Sequence, residues 1–153
     1  MKRALLALAI LAAVIALYAY MRRPTPSEAE RNRAFAESMN GVTLAGNSTT
    51  LSSPGRYGSE RYRIEGVTHV SGDLWLLRAG WNYHGTDITV PIPLKIQWAG
   101  DTPVITLTDV SIPGVGTYSA RVVLYRGQYA GTWNGKDDGG QVFGKIEPAT
   151  AKP

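Results

Sequence analysis

The chain has 153 residues, a formal net charge of +4, 17 glycines, 9 prolines and no cysteine. The missing cysteines exclude disulfide staples, thiolate nucleophiles and cysteine-ligated metals. Residues 1–40 hold six basic and three acidic side chains and residues 41–153 hold ten and nine, so +3 of the charge belongs to the N-terminal segment. That placement gives no argument for a nucleic-acid partner, and none is expected.

The first element is an uninterrupted apolar run bounded by Ala4 and Met21, with Lys2 and Arg3 before it and Arg22 and Arg23 after it. At ~1.5 Å per residue, a helix over this run reaches roughly 27 Å, just short of a ~30 Å hydrocarbon core. The run is longer than the core of a usual cleaved signal, and Leu17-Tyr18-Ala19 lacks the small residue such a cleavage site needs. Residues 1–23 are therefore expected to be a signal anchor, single-pass in the cell membrane, with the C-terminal domain outside the cytoplasm. The alternative is a cleaved signal peptide that leaves the domain secreted or periplasmic.

Pro24 and Pro26 end the run, because proline lacks the backbone donor that helix continuation needs. Ser27 and Glu30 have capping-box spacing and start a second helix within a linker over residues 24–40. Phe35 and Met39 lie four apart on its one apolar face. They make it either a polar linker or a cover for one end of the following domain.

From residue 42 the helical period gives way to alternation punctuated by Gly, Pro, Asn and Asp. Eight strands are predicted, over 42–47, 61–70, 74–83, 87–98, 102–110, 117–125, 128–134 and 141–146. In the second, Tyr62, Ile64, Gly66, Thr68 and Val70 share one face. In the third, Trp75, Leu77, Ala79, Trp81 and Tyr83 do. In the fourth, Ile88, Val90, Ile92, Leu94, Ile96 and Trp98 do, with Pro91 and Pro93 on the opposite face. Two prolines at i and i+2 remove donors from the same lateral side, which predicts an unpaired or bulged flank there. The whole is a mainly β domain over 41–147, an antiparallel meander closed as a barrel or, alternatively, folded as a sandwich. Residues 148–153 are expected to form a flexible tail.

The last strands carry the most organised pattern. Gly131 and Trp133 share a face, as do Val142, Gly144 and Ile146, and Gly139-Gly140 leads into the final strand. Glycines opposite an indole let strands approach closely and give the ring room, so Gly131, Trp133, Gly140 and Gly144 form a structural motif. The pattern Y-x-G-T-W-x-G-x-x-x-G-G-x-x-x-G-x-I resembles the closing hairpin of an uncharacterised group of bacterial exported proteins. The resemblance covers about the last twenty residues of the domain. It implies a shared domain and no activity. The triplet Gly131-Thr132-Trp133 also resembles one found in lipocalin- and avidin-like barrels, but lipocalins place it near the first strand and this chain near the last.

Chemistry-bearing constellations are sparse. His69 and His84 are the only histidines, on different predicted strands, and no metal or other cofactor is expected. The stretch from Asn134 to Gly139 looks like a calcium loop, but Lys136 and Lys145 fall where ligands are required. No G-x-S-x-G elbow occurs, and Asp137-Asp138 adjoin on a turn, so no catalytic residue is assigned. The expected function is a non-catalytic, membrane-anchored envelope domain for binding or structural interaction, with an envelope protein or polymer as partner. The alternative is a lipocalin-like barrel for a hydrophobic or aromatic small molecule, lined by Tyr62, Trp75, Trp81, Tyr83 and Trp98.

Overall fold

The computed structural model describes residues 2–21, 26–83, 85–113 and 115–148, without the side chains of residues 2–8, 20, 81 and 83. Contacts divide the chain into two units, Met1–Glu30 and Arg31–Pro153.

The first unit holds helix α1 (Lys2–Met21) and the start of α2 (Glu28–Met39). The described side chains of α1, residues 9–19 and 21, are all exposed. Among the described residues, no helix is long and apolar enough to cross a membrane. The capping box forms as expected: Ser27 N–H donates to the Glu30 carboxylate at 2.8 Å, and Glu30 N–H donates to Ser27 Oγ at 3.3 Å.

The second unit is a closed antiparallel barrel, which decides against the sandwich. Among the described residues it has eight strands: β1 (Thr43–Thr49), β2 (Tyr57–Ser71), β3 (Leu74–Tyr83), β4 (Thr86–Ala99), β5 (Thr102–Ile112), β6 (Gly116–Tyr125), β7 (Gln128–Asn134) and β8 (Gly139–Glu147). Each pairs with the next, and β1 pairs with β8 to close the ring, Leu44 opposite Ile146. Alternation sets the inward face, where Leu44, Ile64, Trp75, Leu77, Ile92, Leu94, Ile96, Ile105, Leu124 and Tyr129 are buried. The two-residue turn between β6 and β7 puts Arg126 at φ 48° and Gly127 at φ 74°, the paired positive values that match strand twist in a tight hairpin.

Two details depart from the expected alternation. β2 begins at Tyr57, four residues before the predicted start, and so takes in Glu60. A bulge between Ile64 and Gly66 then shifts the phase. Val67 turns inward while Thr68 and Val70 are exposed, so the single face from Tyr62 to Val70 is corrected to two faces either side of the bulge.

The prolines mark a real seam. β4 pairs with β3 along its length, Pro91 opposite Arg78 and Pro93 opposite Leu76. Its ladder with β5 covers only Lys95 to Ala99. Pro91 and Pro93 therefore stand on a flank without ladder bonds, where a missing donor costs nothing.

α2 covers one end of the barrel. Phe35 and Met39 are 6 % and 3 % exposed. The Phe35 ring meets Trp75 and Trp98 edge-on, with centroids 5.3 Å and 5.7 Å away. The Arg31 guanidinium lies 4.4 Å from the centre of the Trp98 ring. Of the two readings of this helix, the cover is the one that forms. The plugged end is bounded by the β2–β3, β4–β5 and β6–β7 turns, because Trp75 begins β3 and Trp98 lies near the end of β4.

Candidate functional site

An eight-stranded barrel has an interior just wide enough for its own side chains or one small ligand. α2 covers one end, which leaves the other, toward the β1–β2 and β7–β8 connections, without a helix over it among the described residues. The interior residues of interest come from five strands, β1, β2, β6, β7 and β8.

Glu60 shares the inward face of β2 with Tyr62 and Ile64, and stands opposite Gly46 of β1. Across β1, Gly46 is opposite Gly144 of β8, which in turn is opposite Tyr129 of β7. A Cβ on Gly144 would stand 2.8 Å from the Tyr129 ring, and one on Gly46 would stand 2.5 Å from its hydroxyl. The two glycines thus form a trough that carries the phenol across two strands toward Glu60. The same logic holds one layer further out. Trp133 is opposite Gly140, and a Cβ there would stand 3.0 Å from the indole Nε1. Tyr118 of β6 completes the group, its ring 6.3 Å from that of Trp133.

Burial and hydrogen bonding single these groups out. The Tyr62 hydroxyl donates to the Glu60 carboxylate, and burial first, then this anion, pushes its pKa far above the usual tyrosine value. Burial, and then Glu60, raises Tyr129 as well. The Tyr129 hydroxyl, the Trp133 Nε1 and the Glu60 Oε2 are each buried without a hydrogen-bond partner. Polar atoms in such surroundings ordinarily find partners, and the cost of leaving them bare is greatest for a charge.

The residues expected to line a ligand site distribute unevenly. Tyr62 belongs to the unplugged half. Trp75, 1 % exposed, and Trp98 pack against Phe35 and so form the plugged half. The side chains of Trp81 and Tyr83 lie outside the described ones. In the structural motif, a Cβ on Gly131 would stand 2.0 Å from Arg121 O and one on Gly140 1.8 Å from Thr49 O, so close strand approach requires both glycines. Sequence reasoning missed Glu60, Gly46, Tyr118 and Tyr129. Glu60 was hidden because the predicted second strand begins only at residue 61. Tyr129 was legible from its phase with Gly131 and Trp133.

The outer wall offers less. A groove of about 210 Å³ is lined by Thr43, Arg61, Arg63, Gly80, Asn82 and Asp87. Its cations are already engaged, Arg61 with Glu147 at 2.9 Å and Arg63 with Glu65 at 3.4 Å. Asn82 donates to Asp87 at 2.9 Å. Arg78 is exposed and pairs with Glu65 at 3.2 Å. His69 packs on Trp75 and its Nε2 lies 2.9 Å from Gly72 O, while His84 lies outside the described residues. Among the described residues, no group of three or more His, Asp or Glu could hold a metal ion. No protein family, curated protein or solved structure gives a match to this chain.

Proposed function

We propose that the protein is a non-catalytic binding domain held at the cell membrane by α1, with the barrel facing outside the cytoplasm and an envelope protein or polymer as its partner. The observation that carries this reading is α1 itself. Its described side chains are apolar or tyrosine on every side and all exposed, Ile10, Leu11, Val14, Ile15 and Leu17 each above 55 %. A helix apolar all round calls for apolar surroundings all round. Exposed Tyr57, Phe143 and Val123 on the outer wall suit a contact surface. Alkaline extraction of membranes, combined with protease added outside intact cells and N-terminal sequencing, tests the placement. The chain is expected to stay with the membrane, with the barrel digested from outside. A mature start near Tyr20 would favour the secreted or periplasmic form, and an intact cytosolic chain would overturn both.

A second reading, a barrel that holds a small molecule, is favoured by the buried and unpartnered polar atoms of Glu60, Tyr129 and Trp133. Intrinsic tryptophan fluorescence, measured against a panel of lipids, hydrophobic dyes and small polar ligands, tests it. Silence across the panel sinks it.

A further inference from the structure

The outer wall of the barrel has two sides of different electrostatic character. On β2, β3 and β4 the charges neutralise one another: Arg63 and Arg78 meet Glu65 at 3.4 Å and 3.2 Å, and Lys95 meets Asp73 at 3.1 Å. On β6, β7, β8 and β1 the only acidic residue of the strands is Glu147, at the end of β8, and Arg61 engages it. Arg121, Lys145 and the turn residue Arg126 are exposed on that side, and none has a carboxylate within ion-pair reach among the described residues. The cationic side is also the apolar one. The register lines up Val123, Ala130 and Phe143 on three neighbouring strands, all exposed, followed by Asn47 of β1. At ~4.8 Å per strand this apolar row is roughly 10 Å long, the length of a disaccharide. Tyr57 extends it, edge-on to Phe143 with ring centroids 6.2 Å apart. The neighbouring rows bring together Tyr125, Gln128 and Lys145 on one flank, and Arg121, Thr132 and Gln141 on the other. The side-chain amides of Asn47, Gln128 and Gln141 are exposed and bond to nothing else among the described residues.

We propose that this wall binds an acidic polysaccharide, its carboxylates on Arg121, Arg126 and Lys145 and its sugar rings against Tyr57, Tyr125 and Phe143. The inference rests on the reading of the barrel as a binding domain with a polymer partner, and narrows it. Exposed rings offer an apolar surface to the C–H face of a sugar. The three amides, each both donor and acceptor, meet its hydroxyls, and the cations meet its carboxylates in charge-assisted hydrogen bonds. An extended peptide fits less well, because β1, β7 and β8 are each laddered on both sides and present no edge to which a strand can add. A lipid surface also fits less well, because amides set among the rings would be buried against hydrocarbon without partners.

The test uses the full chain in detergent, immobilised for biolayer interferometry, with polygalacturonate as the probe. The controls are its fully methyl-esterified form, which keeps the sugar backbone without the charge, and polyglutamate, which carries carboxylates without sugar rings. At matched chain length, polygalacturonate is expected to bind at least about tenfold more tightly than either control. Arg126→Gln combined with Lys145→Gln is expected to lower that affinity about tenfold and to flatten its dependence on salt. Phe143→Leu is expected to weaken polygalacturonate and leave polyglutamate unchanged, a split that loss of fold would not produce. Arg78→Gln, on the internally paired side, is expected to change nothing. Binding of the ester as tight as that of the acid overturns the proposal by removing the role of charge. Polyglutamate binding as tight as polygalacturonate overturns it by removing the sugar, and tighter binding of single-stranded DNA overturns it in favour of a nucleic acid. An equal loss in Arg78→Gln and in the Arg126–Lys145 pair overturns the assignment to this wall. Absence of binding to every polymer overturns the proposal alone, because the placement of the chain is read separately by extraction and external protease.

Discussion

The smallest residue in this barrel does the most to shape its interior. Gly144 sits where a Cβ would lie 2.3 Å from Ala45 O and 2.6 Å from Gly46 Cα, both backbone atoms that cannot step aside. Gly144→Ala is expected to destabilise the fold by about 2–3 kcal/mol through overpacking, read from a denaturant midpoint. A cost near zero would mean that β1 and β8 are less tightly apposed than this. The tyrosines add a pH dependence with a definite sign. Tyr62 has a pKa raised above its ordinary value of 10.0 by burial and by Glu60. A raised folded-state value contributes stability that is present below the ordinary value and lost as pH climbs beyond it, at about 1.4 kcal/mol per pH unit. Stability is expected to fall above pH 10.0, and Tyr62→Phe to make the fall shallower in alkaline denaturation.

At the scale of elements, α2 and β4 each do something their own sequence announced. α2 is capped by Ser27 and Glu30 and aims Phe35 into two tryptophans. Phe35→Ala is expected to cost about 3 kcal/mol and to shift the emission of Trp75 and Trp98 to the red as water reaches them. Unchanged emission would mean that α2 does not seal the barrel. β4 carries exposed Pro91 and Pro93 on the flank its ladder with β5 leaves unpaired. Bare flanks of this kind template pairing with other chains, and proline withholds the donors that pairing needs. Replacing both with threonine is expected to produce dimers or larger species by size exclusion, and a strictly unchanged elution would argue against this protective role.

At the scale of the whole molecule, the barrel closes by joining β1 to β8, segments about a hundred residues apart in the chain. Asp138 reinforces the closure from the turn between β7 and β8. Its carboxylate accepts from the Ser52 hydroxyl and from the Ser52 and Gly139 amides, tying that turn to the β1–β2 loop. The Ser52 hydroxyl, above all, holds its pKa below the ordinary 3.8. A lowered value means stabilisation that is present above pH 3.8 and disappears as acid protonates the folded carboxyl. The difference in melting temperature between the wild type and Asp138→Asn is therefore expected to shrink on acidification through that range; a difference that stays constant would assign the contribution to shape instead of charge. By itself the sequence determined the strands, because period-two alternation and turn residues act locally. It also determined the seam, because proline lacks a donor in any fold, and the glycine–indole motif of the last hairpin. Only the tertiary structure decided that the meander closes as a barrel and that Trp75 and Trp98 belong to its plug. It alone brought Glu60 to Tyr129, because that meeting crosses four strands and depends on a register and two glycine gaps that no local pattern encodes.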